Sequence, residues 1–218
     1  YLSQNFDFAY LSLPPDSIIN FEPKRGWKIN RILTISLDRA GLEKWGNNFR
    51  EDVKNKINKA RRENISIAVT NKVPLKLWEL SFSRKGINPP IKPELLEKWS
   101  NDLIKASLLK IYVASIDDTP VAFRGELIFG DFAYDWIAGS DPDFHSVGTN
   151  QLLMAEIGND LSKTDIKTWD LVGGQIKSIA DFKKSFGAKD TYHYQMKKSY
   201  NIKGRLFNLL REIRHARQ

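Results

Sequence analysis

IYVASI (Ile111–Ile116), PVAFRGELIF (Pro120–Phe129) and DFAYDWIAGS (Asp131–Ser140) decide the fold, together with three further stretches. These are QLLMAEIGNDL (Gln151–Leu161), KTWDLVGG (Lys167–Gly174) and IKSIADFKKSFGA (Ile176–Ala188). The first three alternate or run apolar and are rich in aromatic and β-branched residues, the pattern of strands. Asp117-Asp118-Thr119 and Gly130-Asp131 are turn signals between them, so the three should pair as an antiparallel meander. A polar loop from Pro142 to Asn150 then opens a helix, KTWDLVGG reads as a fourth strand and IKSIADFKKSFGA as a second helix. A helix between the third and fourth strands makes that pair parallel. A meander that turns parallel through such a crossover forms a mixed sheet with a crevice, and chemistry is expected there.

Toward the amino terminus, RILTISLD (31–38) reads as a strand. From about Gly41 to Asn64, Leu42, Trp45, Phe49, Val53, Ile57 and Ala60 recur three or four apart, which predicts one amphipathic helix with a basic outer face. ISIAV (65–69) is a short strand, LKLWELSFSRKG (75–86) a helix closed by Gly86, and PELLEKWSNDLIKASL (93–108) another helix. Residues 1–30, with Pro14-Pro15 and Pro23, read as irregular. Toward the other end, TYHYQMKKSY (191–200) is a last strand and KGRLFNLLREIRHAR (203–217) a basic amphipathic helix. The fold class is therefore α/β (α+β), a mixed sheet with helices on both sides.

At 218 residues and 41% hydrophobic content the chain can bury a real core, as one domain or two small ones. No cysteine is present, which removes disulfides, thiolate catalysis and Cys-ligated metals together. His145, His193 and His215 lie far apart without the spacing of a metal site, so no metal is expected. No run approaches the ~18 apolar residues of a membrane span, and no basic-then-apolar leader is seen. A cytoplasmic protein fits these features. Tyr1 in place of Met predicts a fragment or a processed chain. The net charge of +8 gathers in two places. Residues 50–62 hold Arg50, Lys54, Lys56, Lys59, Arg61 and Arg62, and residues 197–217 hold seven Lys or Arg against Glu212. Such clusters suit RNA, phosphates or an anionic membrane surface, or are solvated helix faces.

From Arg31 to Tyr200 the sequence resembles the GNAT acyltransferases, in particular the FemAB-like branch. That branch includes the peptidoglycan bridge-forming aminoacyltransferases and a related acetyltransferase domain. INKARRENISI (57–67), DFHSVGTNQLLMAEI (143–157), WDLVGG (169–174) and above all IADFKKSFGA (179–188) carry the resemblance, in the family's order. It implies a GNAT-like acyl-CoA N-acyltransferase fold over 31–200. Residues 1–30 would be a junction or the remnant of a preceding repeat, since complete members carry two, and 201–218 a basic terminal helix.

The resemblance also implies a site. Amides of the third meander strand, at Ile137 and Ala138, would hold the donor's acyl carbonyl. The loop Val147, Gly148, Thr149 and Asn150 would take its pyrophosphate, since free amides at a helix N-terminus bind anions. The usual pattern there is Arg or Gln, two residues, Gly, one residue, then Gly or Ala; His145-Ser146-Val147-Gly148-Thr149-Asn150 keeps only the middle Gly. That departure is shared with branches that use aminoacyl-tRNA. Lys183 of the Phe-Lys motif would stand near the reacting ester as a cation, with Phe182 beside it. Tyr134 and Trp136 would line the acceptor side, Tyr134 as a proton relay, and Arg84 would bind the acceptor. Asp170 is the candidate general base. Each residue also has an ordinary reading as exposed charge, sheet aromatic or loop cap.

The resemblance implies an acyl or aminoacyl group passing from acyl-CoA or aminoacyl-tRNA, both co-substrates rather than bound cofactors, to an amine acceptor on a cell-envelope precursor. Two rivals stay open: an idle GNAT-like module that binds RNA or anionic lipid, and half of a longer enzyme. The terminal helix, with Leu206, Phe207, Leu209, Leu210 and Ile213 among basic residues, either rests peripherally on an anionic membrane or packs on its own domain.

Overall fold

The computed structural model describes residues 5–13, 26–83 and 86–215, with side chains to residue 210. Pro14-Pro15, Pro23 and Arg84 lie outside the described residues, as do the side chains of Arg211, Ile213, Arg214, His215 and Arg217. The chain forms two compact units, Ile35–Asp190 and a smaller one made of Tyr1–Thr34 with Thr191–Gln218.

The strands are β1 (Phe8–Leu13), β2 (Lys28–Asp38), β3 (Ser66–Thr70), β4 (Leu109–Ile116), β5 (Thr119–Phe129), β6 (Phe132–Ser140), β7 (Thr168–Asp170) and β8 (Lys189–Ser199). The helices are α1 (Arg39–Glu43), α2 (Glu51–Arg62), α3 (Leu75–Ser83), α4 (Pro93–Lys105), α5 (Thr149–Leu161), α6 (Lys177–Lys184) and α7 (Ile202–His215). In the larger unit the sheet runs β2-β7-β6-β5-β4-β3. Its meander is antiparallel, and β6 pairs parallel with β7, as the crossover helix requires. Asp117 and Asp118 both hold positive φ at the β4–β5 turn, the geometry a two-residue hairpin loop needs.

Strand period two splits the core between the two faces of the sheet. Ile111, Val113 and Phe123 meet Leu77 and Trp78 of α3 and Leu96 of α4. Tyr112, Ala114 and Ala122 join Val53, Ile57 and Ala60 of α2 and Leu153 and Ile157 of α5 on the other face. Strands covered on both faces read as apolar runs, which is why the meander was legible.

Three expectations are corrected. The helix predicted from Gly41 to Asn64 is two helices. Asp38 caps α1 by accepting the Gly41 N–H at 2.7 Å, Gly46 turns the chain at φ +90°, and α2 starts at Glu51. Trp45 and Phe49 belong to that turn, where Trp45 stacks on Phe186 and meets Trp169 edge-on. Residues 1–30 are not irregular throughout: FAYLSL forms β1 and pairs antiparallel with β8, Phe8 opposite Ser199. KTWDLVGG keeps only three residues as strand, because Val172 and Gly173 adopt positive φ and turn the chain out of the sheet.

In the smaller unit the order is β1-β8-β2. There α7 lies on β1, with the Phe8 and Phe207 rings 5.6 Å apart.

Candidate active site

The cleft begins where β6 and β7 part. β7 pairs with Phe132–Tyr134 of β6 and no further. Beyond Asp170 it leaves β6, and Leu171 donates its N–H to Ile35 at 2.8 Å. On its other side β6 carries a bulge: Gly125 faces Ile137 and Glu126 faces Asp135, so Trp136 is an extra residue. A bulge bends its strand and re-aims side chains. Here it switches the inward face, for Ala133 lies in one core and Ile137 in the other. Trp136, Ala138, Gly139 and Ser140 then form one wall of a cavity of about 740 Å³. Val172, Gly173, Ile179, Phe182 and Lys183 form the facing wall.

The floor is ionic. Helix phase turns Ala180 and Lys183 of α6 inward, while Lys184 points out to Asp190 at 2.7 Å. Lys183, only 4% exposed, donates to Asp135 at 2.9 Å and to the Leu171 carbonyl. Arg124 donates to the same Asp135 oxygen at 2.5 Å, and its guanidinium faces the Phe182 ring. Beside them Glu126 is fully buried and accepts the Trp169 indole N–H at 2.7 Å, while its Oε1 has no partner among the described residues. Burial, with the nearby Asp135 charge, pushes Glu126 up to about 8. Burial would also raise Asp135, but Arg124 and Lys183 outweigh it and hold that carboxyl below its ordinary value.

Where β6 gives way to α5, a 3-10 turn over Pro142–Val147 ends at Gly148, which holds a φ of +91° and is also the N-cap of α5. A Cβ there would collide with the Lys56 carbonyl of α2. Thr149 is buried and donates to the Phe144 carbonyl at 3.1 Å, and Lys59 donates to Ser146 at 3.2 Å. The first amides of a helix lack partners within it, and Asn150, Gln151 and Lys56 reach the cavity at this end. Ser140 and His145 share a hydrogen bond of 2.8 Å on the same wall.

Of the residues singled out in the sequence, Lys183, Phe182, Trp136, Ala138 and Asn150 line one cavity. Ile137 points into the core under α3, and Val147, Gly148 and Thr149 form the wall of the loop rather than the cavity lining. Tyr134 and Asp170 pair across β6 and β7 below the split, outside the lining. Burial and Asp170 push the Tyr134 hydroxyl up to about 12. Asp170 is buried and accepts the Val172 N–H at 2.8 Å, holding the turn out of β7. Arg84 lies outside the described residues. Arg124, Glu126, Asp135 and the Ser140–His145 pair were not anticipated. Their signal was present in PVAFRGELIF: an Arg and a Glu two apart, hence on one face, inside a run buried on both sides.

No helix among the described residues is long and apolar enough to cross a membrane. No group of three or more His, Asp or Glu among them is placed to hold a metal ion.

A meander, a bulged strand parting from its parallel neighbour, and a helix N-terminus facing the gap define a GNAT-fold acyltransferase domain. The chain belongs to the acetyltransferase (GNAT) domain family, whose model matches residues 47–184. In fold it is similar to FemX, with a TM-score of 0.63 and 10% identity over 81% of this chain and 63% of that one. It is similar to a conserved protein of unknown function from Bacteroides thetaiotaomicron VPI-5482, with a TM-score of 0.60 and 11% identity over 80% and 63%. L-PGS from Bacillus licheniformis gives 0.53 and 13% over 81% and 63%. FemX and L-PGS have the FemAB-like form of this fold, the branch the ordered motifs resemble. The chain spans 63% of the length of each of these solved chains. No curated protein matches it in sequence.

Proposed function

We propose that the chain is the catalytic domain of a FemAB-like N-acyltransferase, working in the cytoplasm on an acyl-CoA or aminoacyl-tRNA donor and an amine acceptor. The observation that carries this reading is the placement of Lys183 on the floor of the cleft between β6 and α6. An ammonium has three N–H donors, and two of those on Lys183 are occupied by Asp135 and Leu171. The third remains for the donor's carbonyl oxygen. Attack by the acceptor nitrogen forms the amide bond and loads negative charge on that carbonyl oxygen; the bond to the thiol sulfur or ribose oxygen then breaks, and the proton the amine loses ends on that leaving atom. A fixed cation in a site shielded from water stabilises that charge. The β6 edge at Ile137 and Ala138, left by β7, supplies amides to the donor, and Val147–Asn150 and Lys56 serve its phosphates. Trp136 and Phe182 flank the acceptor. Tyr134 and Asp170 stand one register below the cleft, so they act on it through β6 and β7.

A cell-envelope precursor as acceptor fits one further surface. On α7, Ile202, Leu206, Leu209 and Leu210 are each more than half exposed, beside Lys203 and Arg205. We assign that face to an anionic membrane carrying the acceptor. Sedimentation with anionic vesicles, set against neutral ones, tests it; equal partition into both removes the assignment.

Thermal melting with acetyl-CoA, CoA and aminoacyl-tRNA in turn tests the donor. A ligand bound only by the folded state adds ~2.7 kcal/mol at a hundredfold excess over its dissociation constant. A rise with CoA makes this an acyl-CoA enzyme, and a rise with tRNA alone moves it to the aminoacyl branch. No rise with either overturns the donor assignment and favours the idle module or half of a longer enzyme.

A further inference from the structure

The floor of the cleft holds more positive than negative charge. Arg124 and Lys183 both lean on one oxygen of Asp135. The neighbouring Glu126 does not restore the balance by geometry: it is fully buried, one oxygen takes only an indole N–H, and the other has no partner among the described residues. A carboxylate so enclosed, with no cation on it, stays protonated rather than bear its desolvation alone. Two cations then share one anion. The Arg124 Nε is likewise buried without a partner among the described residues. A surplus charge kept from water is costly until a counter-charge arrives, and Arg124, Asp135 and Lys183 all border a cavity a ligand can enter.

We propose that the Arg124 side of this floor is an oxyanion site, which receives a carboxylate or phosphoryl group carried by one of the two substrates and leaves the third Lys183 N–H to the donor's carbonyl. The inference rests on the acyl-transfer reading for its substrates, but its test reads binding alone. Glu126 sets the strength of the site. When Glu126 ionises, the floor becomes neutral and the anion is released.

The groups facing Glu126 are Arg124 on its own strand, Asp135 on β6, the Trp169 indole on β7, Lys183 on α6 and Tyr112 on β4. Asp160 of α5 stands behind Tyr112 and accepts its hydroxyl. Tyr112 is raised by burial and stays protonated through the useful range. Glu126 is therefore the group that changes charge near neutrality, and Trp169 reports it directly.

The experiment follows the Trp169 indole N–H of the full ¹⁵N-labelled chain by NMR between pH 6.5 and 9.5, at constant ionic strength. Sodium acetate and sodium sulfate are the probes, because neither changes charge across that range. Coupling between a bound anion and a proton on Glu126 is reciprocal. Anion should thus raise the midpoint of the indole titration, and acetate or sulfate should bind about tenfold or more tightly at the acid end. Whichever of the two acts at lower concentration identifies a carboxylate or a phosphoryl group as the natural ligand. Glu126→Gln should bind the same probe with no pH dependence. A midpoint unmoved by both anions, or equal affinity at both ends of the range in the unmodified chain, overturns the proposal. A moved midpoint alongside no melting shift with CoA or tRNA would uphold the anion site while the donor assignment fails.

Discussion

One strand, β5, builds two different interiors. On the side covered by α3 and α4, Phe123, Gly125 and Leu127 meet Ile111, Ile137, Leu77 and Trp78 in an apolar cluster. On the side covered by α2, α5 and α6, Arg124 and Glu126 alternate into the same sheet and meet Asp135, Lys183 and Trp169. Replacing buried ion pairs by apolar side chains is often neutral or stabilising, so the second interior is not arranged for stability. The difference separates a half of the sheet that holds the fold from a half that holds a charge pattern at the cleft.

The sharpest way to break that division is to injure each half and read both stability and rate. Phe123 is fully buried. Phe123→Ala should cost about 3–5 kcal/mol of stability, seen as a lower denaturant midpoint. The loss should not vary with pH, because the side chains of its core cluster are apolar. A strongly pH-dependent loss would join the two interiors.

Lys183→Met should act the other way. Removal of one donor aimed at a developing oxyanion costs about 10²–10³ in rate. Asp135 keeps Arg124, so the chain should still fold. Single-turnover acyl transfer alongside a melting curve checks this. An unchanged rate would leave Lys183 as a structural ion only and would remove the main support for the proposed chemistry.

How much of the molecule was legible in the sequence depends on which forces act locally. The meander, its turns and the parallel return were readable because period-two apolar runs and Asp-Asp or Gly-Asp turns are local signals. Lys183 was reached through a motif, but its burial, against the exposure of Lys184 beside it, depends on the phase of α6. The helix break at Gly46 was masked because Trp45 and Phe49 keep helical spacing while they serve an aromatic cluster through a turn. β1 was hidden because its partner β8 is almost the whole chain away. Arg124, Glu126 and Asp135 were missed for the same reason: their meaning lies in a cross-strand pairing and in a bulge that residue spacing does not mark.

Gly125→Ala probes the apolar half at a finer scale. A Cβ there would sit 2.7 Å from Ile137 and 2.9 Å from Ile111, both side-chain atoms. Overpacking of this kind costs typically about 1–3 kcal/mol, measured by denaturant midpoint. Because Ile137 adjoins the bulge, relief of the clash should also shift β6 and disturb cleft binding. Lost stability with unaltered ligand affinity would show that the two faces of β6 are mechanically independent.

The last test is the pH dependence of stability, where only the charged half should speak. Glu126 has its folded value raised to about 8 from an ordinary 4.5. Between those values the folded chain holds a proton that the unfolded chain has released. The stabilisation from that proton is complete at low pH and is lost as pH rises through about 8, with a slope of up to about 1.4 kcal/mol per pH unit. Asp135 acts in the opposite sense, since its lowered value gives stability that is lost as pH falls below the ordinary carboxylate range. Glu126→Gln keeps the shape and an acceptor for the Trp169 indole but removes the titration. It should flatten the fall in stability between about pH 4.5 and about pH 8 and leave the acid limb of Asp135 in place. A profile in which that fall survives in the variant would mean another group carries the charge balance of the cleft, and the contrast between the two interiors of β5 would have to be redrawn around it.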